Sequence, residues 1–240
     1  MTDPVLALEA AGRLTAAEAA VELARQTVED LHGAIRAGIR ILDDAEFDSA
    51  KAALTDRTDF YLESAGEHLN RLHTRCDALS ELSEDLTTCL DRAQHALGEA
   101  SGLLSGIPGA DPDLGAVVTE MRVRVAGLSE ALELARPTAD LVDGHVRAVH
   151  RASAELSAEA LLRPQPLRAS IRSAGQELGR ADEGVRILDN VMHRAAEHAH
   201  ASVDLAHHVA SDAERLQSSQ RRERAGAGAA GPPNLSGPAR

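Results

Sequence analysis

Apolar residues recur at seven-residue intervals along four stretches of this chain, each carrying two rows three residues out of step. In the first stretch one row is Leu14, Val21, Val28, Ile35 and Leu42, and the other Ala17, Ala24, Leu31, Gly38 and Ala45. The second has Leu62, Leu69, Cys76, Ser83, Leu90, Leu97 and Leu104 against Ala65, Leu72, Leu79, Leu86, Ala93 and Ala100. The third sets Val118, Val125, Leu132, Ala139 and Val146 against Met121, Leu128, Ala135, Val142, Val149 and Leu156. The fourth sets Ile171, Leu178, Val185, Met192, Ala199, Ala206 and Ala213 against Ala174, Ala181, Leu188, Ala195, Val209 and Leu216. Such rows predict long amphipathic helices.

Local chemistry places the ends. Asp3-Pro4 and Asp111-Pro112 read as an N-cap followed by Pro at the first helical position. Ser105–Asp113 and the Arg163–Pro166 stretch are Gly- and Pro-bearing loops. Between the first two helices the heptad phase slips, and Thr55–Asp59 is the best turn. Pro137 falls inside the third pattern without breaking its phase, which predicts a kink. The expected helices are 4–54, 57–105, 112–162 and 167–219, each roughly 75 Å long. Short connections between helices of matched length predict an all-α, elongated up-down-up-down antiparallel four-helix bundle with coiled-coil packing. One unbroken helix across the first two stretches, and an intermolecular coiled coil, are the rival architectures. Residues 220–240, rich in Gly, Ala and Pro, are expected to be a disordered tail.

Composition narrows the function classes. The 240 residues include two Phe, one Tyr and no Trp, so little aromatic bulk is available to wall a pocket. A net charge of −13 opposes binding to nucleic acid or to an anionic membrane. No run is long and apolar enough to span a bilayer, and the N-terminus lacks a secretory pattern. Cys76 and Cys89, on one helix, lie too far apart for a disulfide. A cytoplasmic protein with free thiols is expected.

One phrase is written twice: Gly38-Ile-Arg-Ile-Leu-Asp-Asp44 returns as Gly184-Val-Arg-Ile-Leu-Asp-Asn190, with Gly33 and Gly179 five residues upstream. Counting helix rise puts both phrases at one level of the first and last helices, side by side and head to tail. Glycine inside a helix costs about 1 kcal/mol relative to alanine, so the four predict a close approach of two backbones. Arg40 with Asp43, and Arg186 with Asp189, can pair along each helix. They can also cross, Arg40 to Asp189 and Arg186 to Asp43. Ile41 and Ile187 project off the main seams. The ten residues of this helix-crossing or interaction site are Gly33, Gly38, Arg40, Ile41, Asp43, Gly179, Gly184, Arg186, Ile187 and Asp189.

Other constellations carry less. His193, Glu197, His200, Asp204 and His207 form a stripe, and both Glu197-x-x-His200 and Glu29-x-x-His32 have the spacing of di-iron bundles. The histidines follow core positions by one residue and face outward, so no metal or other cofactor is expected. Phe47, Phe60 and Tyr61 gather at the turn between the first two helices, where they are expected to fill the core or, alternatively, to form an interaction end. Arg221, Arg222 and Arg224 suit a helix C-terminus. No nucleophile elbow or phosphate loop is present.

The expected function is therefore non-enzymatic: a helical interaction or scaffold protein that self-associates or binds another helical protein. A sensor-type bundle holding a small ligand is the alternative, as is a secreted helical substrate of an actinobacterial export system. The last lacks its usual marks, since the chain has no Trp and Tyr61 is followed four residues on by Ala65.

Overall fold

The computed structural model describes residues 4–107, 112–154 and 163–229. They form four α-helices: α1 (Pro4–Ala52), α2 (Thr58–Ser105), α3 (Pro112–Ala154) and α4 (Pro164–Ala229). In sequence order the helices pack around a closed ring, α1 on α2, α2 on α3, α3 on α4 and α4 on α1. Of the diagonals, α2 and α4 touch, while α1 and α3 do not among the described residues. The predicted antiparallel bundle is the observed one, and no helix of it is long and apolar enough to cross a membrane.

The heptad rows form the core. Every residue of the predicted rows that is described is buried, except Leu216; Leu156 lies outside the described residues. Leu216 is exposed because α4 is too long for its neighbours. Contacts along the α1–α4 seam set the first residues of α1 near the level of Ala213. The last ~16 residues of α4, roughly 24 Å of helix, extend beyond that level. This extension also moves a predicted boundary: the helix continues to Ala229, not 219. No proline interrupts the chain there before Pro232, and Arg, Gln and Ala favour helix. The rest of the expected tail, 230–240, lies outside the described residues.

The other ends agree with the pattern more closely. Pro4 and Pro112 open α1 and α3, as predicted, while Asp3 and Asp111 lie outside the described residues. α4 opens at Pro164 rather than 167. Pro164 and Pro166 fit inside the first turn because N–H groups there have no intrahelical partner anyway. The predicted far end of α3, 155–162, lies outside the described residues. α3 runs unbroken through Pro137.

The α1–α2 reversal excludes the single long helix. It contains neither Gly nor Pro, and hydroxyls take over the carbonyls that the helix leaves open. Thr58 donates to the Ala52 carbonyl (3.1 Å) and the Thr55 carbonyl (3.2 Å), and Thr55 donates to that of Lys51 (3.2 Å). Short polar side chains that bond nearby backbone compete with helix continuation in this way. Arg168, from α4, completes the reversal by donating to the Ser49 carbonyl (2.8 Å) and hydroxyl (3.1 Å). Arg122 of α3 does the same at the end of α2, donating to the Leu104 (3.1 Å) and Ile107 (3.0 Å) carbonyls. The last carbonyls of a helix have no internal partner, so an arginine from the adjacent helix fixes both the stop and the packing.

Replacing Arg122 or Arg168 with Ala is expected to lower unfolding free energy by ~1–2 kcal/mol each, because the charge-assisted bonds to these carbonyls are lost. Urea denaturation followed by circular dichroism measures this, and an unchanged midpoint would show that water replaces the guanidinium without cost.

Candidate helix-crossing site

The repeated phrase lies on the seam between α1 and α4. The register there is read from four contacts. A Cβ on Gly38 would lie 3.2 Å from Leu178, and one on Gly175 would lie 4.0 Å from Leu42. His32 approaches Asp182 at 3.3 Å, and Arg168 holds Ser49. In this register Gly38 stands at the height of Gly179, and Gly33 near that of Gly184. The two G-x-x-x-x-G units thus lie side by side and antiparallel, the first glycine of each level with the second of the other.

The glycines do not share one role. Gly38 is buried, and its hydrogen faces Leu178 of α4 and Leu72 of α2, which a Cβ would meet at 3.2 and 3.3 Å. Gly184 turns toward α3, where a Cβ would come within 2.6 Å of Val142 Cγ2. Gly33 and Gly179 are exposed, and a Cβ on either would meet nothing within 4 Å. The expected four-glycine crossing of α1 and α4 is thereby corrected. One glycine admits neighbours on α2 and α4, one admits α3, and two face open space. Equal height along the bundle does not impose equal direction around each helix.

The proposed crossed ion pairs are also absent. Arg40 stands near Glu177, and Asp189 is about 12 residues farther along α4, roughly 18 Å at 1.5 Å per residue. Arg186 instead reaches Asp182 at 2.7 Å and Glu183 at 4.0 Å on its own helix. Arg40, Asp43 and Asp189 make no ion pair among the described residues, so neither the crossed pairs nor the pairs three apart form. Ile41 is partly buried against the core, whereas Ile187 is exposed; the two do not share an environment.

The charge at the centre of this seam is Asp182, which lies between the two glycines of the second phrase. It is buried, with Arg186 at 2.7 Å, His32 Nε2 at 3.3 Å and Arg36 Nε at 3.9 Å. Arg36 occupies in the first phrase the place that Asp182 holds in the second. The repeat therefore meets itself with opposite charge at its centre. Asp182 is not legible in the repeat because it stands where the two copies differ; a lone acid in an otherwise core-flanking position was the available signal. The His32 Nε2 and Asp182 Oδ1 atoms are buried and face one another at 3.3 Å without a well-aligned hydrogen bond.

Histidines bridge all four seams, a second feature that the sequence did not show. His68 approaches Asp48 at 3.5 Å from α2 to α1, beside the Ser64 hydroxyl that donates to Asp48 at 2.6 Å. His145 lies 2.7 Å from Glu177 between α3 and α4. Between α2 and α3, His73 stacks on His150 with ring centroids 4.5 Å apart and lies 3.2 Å from Ser153 Oγ. His200 lies 2.9 Å from Glu18 between α4 and α1. His193, by contrast, faces solvent near Glu197 of its own helix, and His200 and Asp204 are likewise exposed. Among the described residues no group of three or more His, Cys, Asp or Glu side chains is placed to hold a metal ion.

The remaining chemistry is quiet. Burial pushes the Cys76 thiol up to about 11, against the opposing effect of Ser153, and burial also raises that of Cys89. Both stay protonated at neutral pH and unreactive. At the α1–α2 turn, Tyr61 packs on the core but Phe47 and Phe60 do not; both are exposed, with Lys51 Nζ 4.3 Å above the Phe47 ring. The core-filling expectation for the aromatics therefore holds for Tyr61 alone, which lies partly buried against the core. Comparison with known proteins returns no matching family model, no similar curated protein and no similar solved structure.

Two predictions follow from these contacts. Gly184→Ala is expected to cost ~1–3 kcal/mol by overpacking against Val142, with partial recovery in Gly184→Ala/Val142→Ala. Gly33→Ala and Gly179→Ala are expected to stabilise by up to ~1 kcal/mol, since the added methyl meets nothing; thermal melts of the four variants separate the two roles. The hydrogen bond that His200 donates to Glu18, followed by the Asp204 charge, holds the His200 pKa above its ordinary value. The protonated pair contributes in full below the unfolded pKa of about 6.5, and the contribution is lost as pH rises through the folded value. NMR titration of His200 is expected to show the elevation in the native chain and its reduction in Glu18→Gln.

Proposed function

We propose that the protein is a non-enzymatic helical scaffold, which acts in the cytoplasm by offering the outer side of its bundle to another helical surface. The observation that carries this is a difference between its helices. The outward face of α2 reads Glu67, Arg71, Thr74, Glu81, Asp85 and Arg92, all exposed, as water demands. The outward faces of α1 and α3 instead show Leu8, Leu23, Val123, Leu134 and Leu141 to solvent. These exposed apolar side chains support a protein contact on those two faces. The acid surplus, a net charge of −13, argues for a protein partner over nucleic acid or an anionic membrane. The two thiols, held protonated by burial, favour this reading over a thiol-based enzyme.

A sensor-type bundle is the second function supported by a specific feature. The α2–α3 seam opens into a groove of about 760 Å³, lined by Gln94, Ser101, Arg122, Val125, Ser129 and Glu133. Its size suits a small polar molecule. A pull-down of the tagged full chain from its host, compared with a thermal-shift screen of metabolites, separates the two. A helical protein retained by the native chain and lost with Leu134→Glu/Leu141→Glu supports the scaffold. A ligand that raises the melting temperature, with no such protein retained, would replace it with the sensor.

A further inference from the structure

We infer that the groove between α2 and α3 binds a short peptide with free ends, laid along the seam with its carboxylate on Arg122 and its ammonium on Glu130 and Glu133. This deepens the sensor-type function and rests on that groove being a ligand site. It makes no use of the outward faces of α1 and α3. Bonds between the two helices mark the ends of the groove. At one end Arg122 donates to the Leu104 and Ile107 carbonyls, and at the other the Gln94 amide donates to the Leu132 carbonyl at 3.5 Å. Between these ends no hydrogen bond crosses the seam among the described residues. The positions that flank the core rows there are Gly98 and Ser101 on α2, and Ala126 and Ser129 on α3. Long charged side chains commonly occupy such flanks and cover the apolar rows with their stems. Small ones leave the trough of about 760 Å³, floored by Leu97, Leu104 and Val125. Gly98 is exposed, and a Cβ on it would meet nothing within 4 Å, so no neighbour within the chain requires its small size.

Charge selects the occupant. Along α3 the groove begins with a cation, Arg122, and ends with two acids, Glu130 and Glu133. Other charges on this stretch of α3 are paired: Arg124 with Glu120, and Arg136 with Asp91 and Asp140. Arg122, Glu130 and Glu133 make no ion pair among the described residues. Arg122 spends Nη2 on the two carbonyls, and Glu133 accepts the Ser129 hydroxyl at 3.3 Å. They stand too far apart to neutralise each other, since Arg122 is roughly 12 Å of helix rise from Glu130 and roughly 16 Å from Glu133. A purely anionic ligand would suit Arg122 and be repelled at the other end, and a purely cationic one the reverse. A linear zwitterion with its charges ~12–16 Å apart meets both ends, and an extended chain of four residues, at ~3.3–3.6 Å each, has that length. Two further features favour a peptide over other zwitterions. The hydroxyls of Ser101, Ser105 and Ser129 along the walls are placed to accept peptide N–H groups. Alternate side chains of an extended peptide point the same way, so two of the four face the floor of Leu97, Leu104 and Val125.

Isothermal titration calorimetry of the full chain with Ala-Leu-Ala-Leu and Leu-Ala-Leu-Ala tests this, because the two peptides carry their leucines in alternate registers. At least one is expected to bind with a Kd below about 1 mM. Capping it by N-acetylation or by C-terminal amidation removes one end charge and is expected to weaken binding by ~10-fold or more. That comparison needs no variant of the protein. Glu130→Gln/Glu133→Gln is expected to weaken the free peptide by a similar factor. Gly98→Leu is expected to fill the trough and abolish binding, with circular dichroism confirming that the helices are kept. Three results would overturn the inference: neither free peptide binds at about 5 mM, the capped peptides bind as tightly as the free one, or Gly98→Leu binds as the native chain does. Probes with charge of one sign separate this from the function beneath it. If 1,4-diaminobutane or succinate raises the melting temperature of the native chain but not of Gly98→Leu, and the peptides do not bind, the groove remains a ligand site and only the zwitterionic peptide fails. If no peptide, single-charge probe or metabolite shifts the melt, both fail.

Discussion

Burial of two heptad rows on each of four helices is the constraint from which the structure follows. The rows are filled largely by Ala, Leu and Val, with Gly38 in one of them, so the helices can approach closely without aromatic spacers. Close approach, in turn, leaves little room for polar groups between helices. The polar groups that do cross the seams are therefore paired across them: Arg122 and Arg168 on helix-end carbonyls, Asp48 with Ser64 and His68, Glu177 with His145. Apolar burial drives assembly, and these contacts fix how far each helix slides along its neighbour.

The α1–α4 seam shows the division most clearly. Apolar rows alone permit slippage by a heptad, since Ala and Leu recur on both helices. A buried carboxylate does not. Moving Asp182 by one heptad would carry Arg186 with it but separate the carboxylate from His32 and Arg36 across the seam. Gly38 supports the same register sterically, because Leu178 fills the space where its side chain would be, while Gly184 acts on the α3–α4 seam, where Val142 fills the corresponding space. The repeated phrase is thus a device for alignment, but it works through different partners in its two copies.

That device faces inward. The outward positions of α1 and α3 expose Leu8, Leu23, Val123, Leu134 and Leu141, where the outward face of α2 is charged; the proposed scaffold function rests on that difference. The exposed Phe47 and Phe60 at the α1–α2 turn and the groove between α2 and α3 add local character to a surface whose long stripes dominate. Burial holds the two thiols protonated, and His32, His68, His73, His145, His150 and His200 sit at helix seams.

The sequence by itself determined the four helices, nearly all of the core, the antiparallel order and most of the helix ends. These depend on period, on proline and glycine placement and on loop length, all of which are local and countable. It also brought the two phrases to one height, since helix rise is fixed. It did not determine direction around the helix axes, so it could not tell that Gly184 faces Val142, that Gly33 faces open space or that Arg186 turns to Asp182. Nor did it single out Asp182 or the bridging histidines, whose partners are remote in the chain. Only the packing decided those, because rotating a helix by a fraction of a turn changes every neighbour while leaving the heptad pattern intact.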